Sequence, residues 1–206
     1  MRSRGGSGKV WKVARTLGRR GRGGKGLPPL LFFTDPARTP DPAAILSRLP
    51  RGAGVVYRAF GHVDAVNSAR SLRALAHSRG LVFLVGADEA LATACRADGL
   101  HLPERDLGRA PRLRARHPTW ILTGAAHSRS ALARAGRAGV HAAVVSAIFP
   151  SGSPSAGVPL GARRLGAWIR NGRTRVYALG GVNGRNAAQL TRTGAVGIAA
   201  IDGVLD

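Results

Sequence analysis

The sequence predicts an α/β chain of the (β/α)8, or TIM-barrel, class. Three observations predict it. Eight short apolar runs recur after residue 26. Segments of helical periodicity lie between most of them. Gly or Pro punctuates nearly every junction. Strands alternating with helices imply a parallel sheet covered on both sides. Eight such units fit a closed barrel, whereas a doubly wound sheet of this length would show fewer strands.

Taken in order, the strands are expected at 30–34, 54–59, 81–85, 99–102, 119–124, 142–148, 175–179 and 197–201. Helical patterns fall at 67–78, 89–97, 128–138, 161–171 and 183–193, with weaker ones after the first and fourth strands. Little sequence follows the eighth strand, so the barrel is expected to lack its last helix and to be uncovered between its last and first strands. Residues 1–26 form a basic, Gly- and Arg-rich extension, and 27–206 the barrel domain. Within the extension, Val10, Val13, Ala14 and Leu17 repeat at helical spacing. This amphipathic segment, 9–17, is expected to pack on the outer face of the first or last strand. A homodimer partner, or an exposed gap beside a disordered basic arm, is the alternative.

Composition narrows the function classes. The 206 residues suit one domain with a sizeable core. The lone Cys95 excludes an internal disulfide framework, and no apolar run reaches the roughly 20 residues of a membrane span. A cytoplasmic protein is expected. The net charge of +22 invites a nucleic-acid reading. Aromatic residues are not interleaved with the basic ones, so base-stacking platforms are missing and only the tail is a nucleic-acid candidate. No lysine follows Lys25, which argues against Schiff-base chemistry and a phosphate-loop lysine.

In such barrels the reactive groups gather at the C-terminal strand ends. Those ends carry Arg58, then Glu104, Arg105 and Asp106, then His127 and Ser128, then Ser151, Ser153 and Ser155, then Gly180 and Gly181, then Asp202. One arginine, a hydroxyl-rich loop and a glycine pair suggest anion handling. His127 is the acid/base candidate. Asp106 is the metal candidate. The remaining histidines read as loop or strand residues, His101 among them.

The motifs Ala97-Asp-Gly-Leu-His-Leu-Pro-Glu-Arg-Asp106, Ala126-His-Ser128, Ile148-Phe-Pro-Ser-Gly-Ser153, Pro159-Leu-Gly161, Ala178-Leu-Gly-Gly-Val182 and Gly194-Ala-Val-Gly-Ile-Ala199 resemble the thiamine phosphate synthase / TenI family. The resemblance runs from about Leu30 to the C-terminus. It implies a (β/α)8 barrel that binds a phosphorylated thiazole, and in the synthases a pyrimidine diphosphate as well. The synthases use Mg²⁺ to neutralise the departing diphosphate. Their Gln-x-Arg-x-Lys at the second strand end is Val56-Tyr57-Arg58-Ala59-Phe60 here, so only the arginine is kept. Their Asn-Asp after the third strand reads Gly86-Ala87, with Asp88 one place late. Asp106 matches the second magnesium carboxylate. Their lysine after the sixth strand matches Pro154, and the two hydroxyl positions match Ser151 and Ser153. Phosphate binding falls to Ser151, Ser153, Gly180, Gly181 and the backbone near Ile201. The TenI branch resembles a tautomerase that moves one proton on a thiazole phosphate carboxylate without metal, and its histidine matches His127. Three readings follow: a synthase, a metal-free tautomerase, and a catalytically dead phosphate-ligand-binding barrel with a nucleic-acid-binding tail.

Overall fold

A computed structural model describes residues 6–20, 26–152 and 157–201. Eight parallel strands close into a barrel in chain order: β1 (Leu30–Phe33), β2 (Gly54–Tyr57), β3 (Val82–Gly86), β4 (Gly99–Leu102), β5 (Ile121–Ala126), β6 (Ala142–Val145), β7 (Val176–Leu179) and β8 (Gly197–Ala200). The barrel closes where Leu31 of β1 pairs with Ala199 of β8. The eight strands fall where expected, with β3 and β5 running one and two residues further, and β2 and β6 ending two and three residues short of the expected bounds.

Side chains alternate along each strand, so two cores form. Leu31, Phe33, Val56, Leu84, Val144, Tyr177 and Ala199 fill the barrel interior. Their sequence neighbours Leu30, Phe32, Val55, Phe83 and Ile198 pack outward in the larger core under the helices. Tyr177 is fully buried, and its hydroxyl donates to the Pro28 carbonyl at 2.6 Å. Burial pushes that phenol above the ordinary tyrosine range.

The outer layer holds α1 (Gly6–Arg20), α2 (Pro42–Leu46), α3 (Ala65–Ser78), α4 (Glu89–Ala94), α5 (Ala110–Arg116), α6 (Arg129–Ala138) and α7 (Ala162–Arg170). Two 3-10 helices, Glu104–Arg109 and Ala187–Arg192, complete it. Local chemistry sets several starts. Asp41 caps α2 by accepting from the Ala44 N–H, and Ser128 caps α6 by accepting from the Ala131 N–H. The segment expected as a helix over 183–193 is mostly a 3-10 helix. There Asn183 accepts from the Arg185 N–H and Asn186 from the Asn183 N–H, which diverts backbone donors from a helical start.

The helical segment of the extension is α1. Val10, Ala14 and Leu17 are buried in the outer core, and Val13 packs partly buried beside them. The helix lies against β8, β1 and the second 3-10 helix, over the seam where the barrel closes. Lys9, Lys12, Arg15 and Arg19 stay exposed. Each fully buried Val or Leu contributes roughly 1.5–3 kcal/mol before ordering costs. No helix among the described residues is long and apolar enough to cross a membrane.

Candidate functional site

A cavity of about 950 Å³ opens at the C-terminal ends of the strands. Its lining follows the strand alternation. The inward residues of β1, Leu31 and Phe33, lead on to Asp35. Val56 leads to Arg58, and Leu84 to Gly86. On β4 the inward position is His101. On β5 the same parity gives Ala125 and, past its end, His127; past β6 it gives Ser146, on β7 Leu179 and past it Gly181, and past β8 Ile201.

Arg58 is held by its neighbours. Its Nε donates to the Thr34 carbonyl at 2.7 Å, and a terminal nitrogen donates to the Asp35 carboxylate at 3.1 Å. The guanidinium carbon sits 4.9 Å from the Phe60 ring centre and 5.8 Å from that of Phe33. Burial pulls the Arg58 pKa below its ordinary value, and Asp35 partly restores it. Asp35 also accepts from the Ala37 and Arg38 backbone N–H groups. Burial alone would raise its carboxyl pKa. The Arg38 N–H, the Arg38 charge and the Arg58 charge together bring it below the usual carboxylate range.

His101 forms part of the floor. Its Nδ1 meets the Thr123 hydroxyl at 2.9 Å, and its ring stands edge-on to Phe33 at 4.9 Å. Burial, with Arg58 and His127 nearby, lowers its pKa to about 3, so it is neutral at any physiological pH. Across the cavity, His127 is exposed and follows β5. Its backbone N–H donates to Glu104, whose other oxygen receives Arg134. Its Nδ1 lies 3.1 Å from the Ser146 hydroxyl. A serine hydroxyl at that distance fixes the ring and leaves Nε2 as the nitrogen without a protein partner among the hydrogen bonds described.

The phosphate candidates sit together on the β6–β8 side. Ser151, Gly180, Gly181 and Ile201 all line the cavity. Ser153 falls outside the described residues. Gly181 has φ +65, and a Cβ there would lie 2.7 Å from the Phe149 carbonyl oxygen. Only glycine fits this left-handed position against the β6–α7 loop. Its carbonyl is taken by the Asn183 and Asn186 side-chain amides.

The carboxylates are placed differently. Asp106 lies on the first 3-10 helix and is not among the cavity-lining residues. Asp88 spends its carboxylate as the cap of α4, accepting from the Leu91 N–H at 2.9 Å. Among the described residues no three His, Cys, Asp or Glu side chains gather closely enough to hold a metal ion.

The family model for thiamine monophosphate synthase matches residues 31–204. The chain belongs to that family. Thiamine-phosphate synthase from Alcanivorax borkumensis is 33% identical over 180 residues, covering 84% of this chain and 82% of its own. Thiamine-phosphate synthase from Moorella thermoacetica is 31% identical over 143 residues, covering 69% and 68%. Thiamine phosphate pyrophosphorylase from Pyrococcus furiosus superimposes with a TM-score of 0.71 at 22% identity, covering 85% of this chain and 89% of that one, and shows the shared fold. Family membership supports a function in thiamine biosynthesis.

Sequence reasoning missed Asp35 and Arg38, which line the cavity beside the Arg105 noted at its strand end, and passed over His101. The signal for Asp35 and His101 was the two-residue parity of the strands themselves.

Proposed function

We propose that the cavity binds a phosphorylated thiazole and that the protein acts on it in thiamine biosynthesis. The observation that carries this is the convergence of Ser151, Gly180, Gly181 and Ile201 on one wall, opposite Arg58, with His127 between them on the rim. A hydroxyl and a glycine-bounded turn suit a phosphate monoester, which needs close backbone approach. Relatives bearing the synthase name support the same ligand class.

The synthase reaction joins that thiazole to a pyrimidine diphosphate. The diphosphate departs, and the thiazole nitrogen attacks the cation left behind. In the family Mg²⁺ shields the leaving group. The described residues do not fit that ion, because Asp88 is engaged as a helix cap and Asp106 does not line the cavity. Among the described residues, Arg58, Arg38 and Arg105 are the arginines that line it, and the first two share Asp35.

A specific observation favours a second reading, the metal-free tautomerase. The His127–Ser146 contact orients an imidazole at the cavity rim, which is what proton transfer on one bound thiazole requires. One histidine so placed contributes about 10²–10⁴-fold. In both readings Gly180, Gly181 and Ser151 hold the phosphate, Arg58 faces the remaining negative charge, and the apolar floor of Phe33, Val144 and Leu179 excludes water.

The test is a pair of assays on the full chain. Thiamine phosphate formed from both substrates, lost on chelation, establishes the synthase. Turnover of the thiazole phosphate carboxylate alone, unchanged by chelator, establishes the tautomerase. Calorimetry that detects no binding of thiazole phosphate overturns both.

A further inference from the structure

The cavity corner at the ends of β2 and β3 departs in chemistry from the family pattern. That pattern has a lysine two residues past the arginine of the second strand, and an Asn-Asp pair after the third. Here Phe60 stands at the lysine position and Gly86-Ala87 at the pair. All three residues line the cavity, with Arg58 and Ala59 beside them. We propose that Phe60 sets the specificity of this corner by stacking on a flat heteroaromatic ring of the ligand, where the family pattern seats a diphosphate. Which ring it is rests on the thiazole reading above.

The Phe60 ring is presented to the cavity rather than packed away. Phe60 is 62% exposed although it lines the cavity. A ligand ring that covers it removes that apolar area from water and gains the geometry of an aromatic pair. Shielding Arg58 does not account for the exposed ring. The guanidinium is already flanked by buried Phe33, whose ring centre lies 5.8 Å away. Turn geometry does not call for a phenylalanine either. Phe60 has φ +48, in the left-handed region that strains a bulky side chain. Glycine makes such a turn without strain, and the chain uses one at the next position, Gly61, with φ +77. A strained aromatic residue at a cavity mouth is therefore held there for its ring.

That ring is also braced. Arg58 is fixed by the Thr34 carbonyl and the Asp35 carboxylate, and its guanidinium carbon lies 4.9 Å from the Phe60 ring centre. A ring held against a fixed guanidinium has less freedom to lose when a ligand arrives. Gly86 makes room for this arrangement. A Cβ there would lie 3.0 Å from the Arg58 Cγ, so the bare backbone lets the arginine stem lie over the end of β3. Ala87 adds only a methyl group to the same wall. Relative to the family pattern, the corner gains flat apolar surface. It gives up the ammonium and the carboxylate that a metal-bound diphosphate would use.

The experiment titrates the full chain with thiazole phosphate, with methylthiazole, which has the ring without the phosphate, and with inorganic pyrophosphate. Binding is read by calorimetry and by aromatic-ring NMR signals, those of Phe60 being identified by their loss in Phe60→Ala. Both thiazoles are expected to shift the Phe60 signals along saturable curves. Phe60→Ala is expected to weaken both about tenfold, and Phe60→Tyr to keep both within about threefold of wild type. Phe60→Lys is expected to weaken both thiazoles and to raise pyrophosphate affinity at least about tenfold. Thiazole affinities undiminished in Phe60→Ala, a Phe60→Tyr variant as weak as Phe60→Ala, or pyrophosphate bound no better by Phe60→Lys overturns the proposal. Failure of the thiazole phosphate reading looks different: thiazole phosphate then binds no better than methylthiazole, while the Phe60 signals still move and the stacking role stands. Phe60 signals that stay still in every titration overturn it.

Discussion

The two halves of the cavity rim are built on different principles. On the β1–β4 side, charged side chains are pinned by other charges: Asp35 holds Arg38 and Arg58, and the Phe60 ring covers Arg58. Residues 26–106 balance nine arginines against eight carboxylates. On the β5–β8 side, no arginine among the described residues lines the cavity. Small residues line it instead, among them Ala125, Ser146, Ala147, Gly180 and Gly181, and backbone path determines what can bind. The side-chain half can be altered by degrees, because a guanidinium that loses one partner keeps another. The backbone half cannot, because a single added methyl meets the main chain of the next loop.

The largest effect tests how far the second half depends on distant sequence. Leu17→Ala empties a fully buried position between α1 and the barrel seam and is expected to cost about 2–5 kcal/mol. A fall of several degrees in melting temperature checks it, and a melting temperature within one degree of wild type would separate α1 from the barrel's stability. Next comes Gly181→Ala, which places a Cβ against the Phe149 and Pro150 carbonyls at a left-handed φ. Thiazole phosphate affinity is expected to fall at least about 100-fold, with the fold retained in circular dichroism. Undiminished affinity in calorimetry would show that backbone approach is not what binds the phosphate.

Under the tautomerase reading proposed above, His127→Ala is expected to lower turnover about 100-fold with phosphate binding nearly intact. Wild-type turnover would return His127 to a structural role. The smallest effect belongs to the charged half. Asp35→Asn frees Arg58 from its carboxylate without removing it, and KM is expected to change by less than about tenfold. The variant also alters acid stability. The folded-state pKa of Asp35 is depressed, so its contribution is present above the unfolded carboxylate pKa and is lost as pH falls through the folded value. Asn at this position is therefore expected to flatten the acid limb of the stability profile, and an unchanged limb would show that Asp35 is not held by Arg38 and Arg58.

Much of this was legible in the sequence because the strands are continuous apolar runs bounded by Gly and Pro. The cavity positions of Arg58, His127, Ser151, Gly180, Gly181 and Ile201 were legible because they close or follow those runs. Asp35 was not, because it lies two residues past Phe33, and only the inward parity of Leu31 and Phe33 carries it to the rim. His101 was passed over for a related reason. A histidine within an apolar strand reads as core, and here it is buried yet lines the floor. The helix expected over 183–193 took 3-10 form because Asn183 and Asn186 bond to local backbone, a competition that periodicity cannot register.

The position of α1 has a consequence in time. Its apolar face rests on β8 and on the 3-10 helix before it, nearly two hundred residues further along the chain. Contacts of such separation form late, because the loop they close must be ordered first. During synthesis from the N-terminus, Val10, Ala14 and Leu17 emerge before every barrel strand and reach their native cover only when the eighth strand is released. For most of the time the chain is being made, its first helix is an exposed apolar stripe ringed by Lys9, Lys12, Arg15 and Arg19. Like charges flanking an apolar stripe disfavour its association with a second copy.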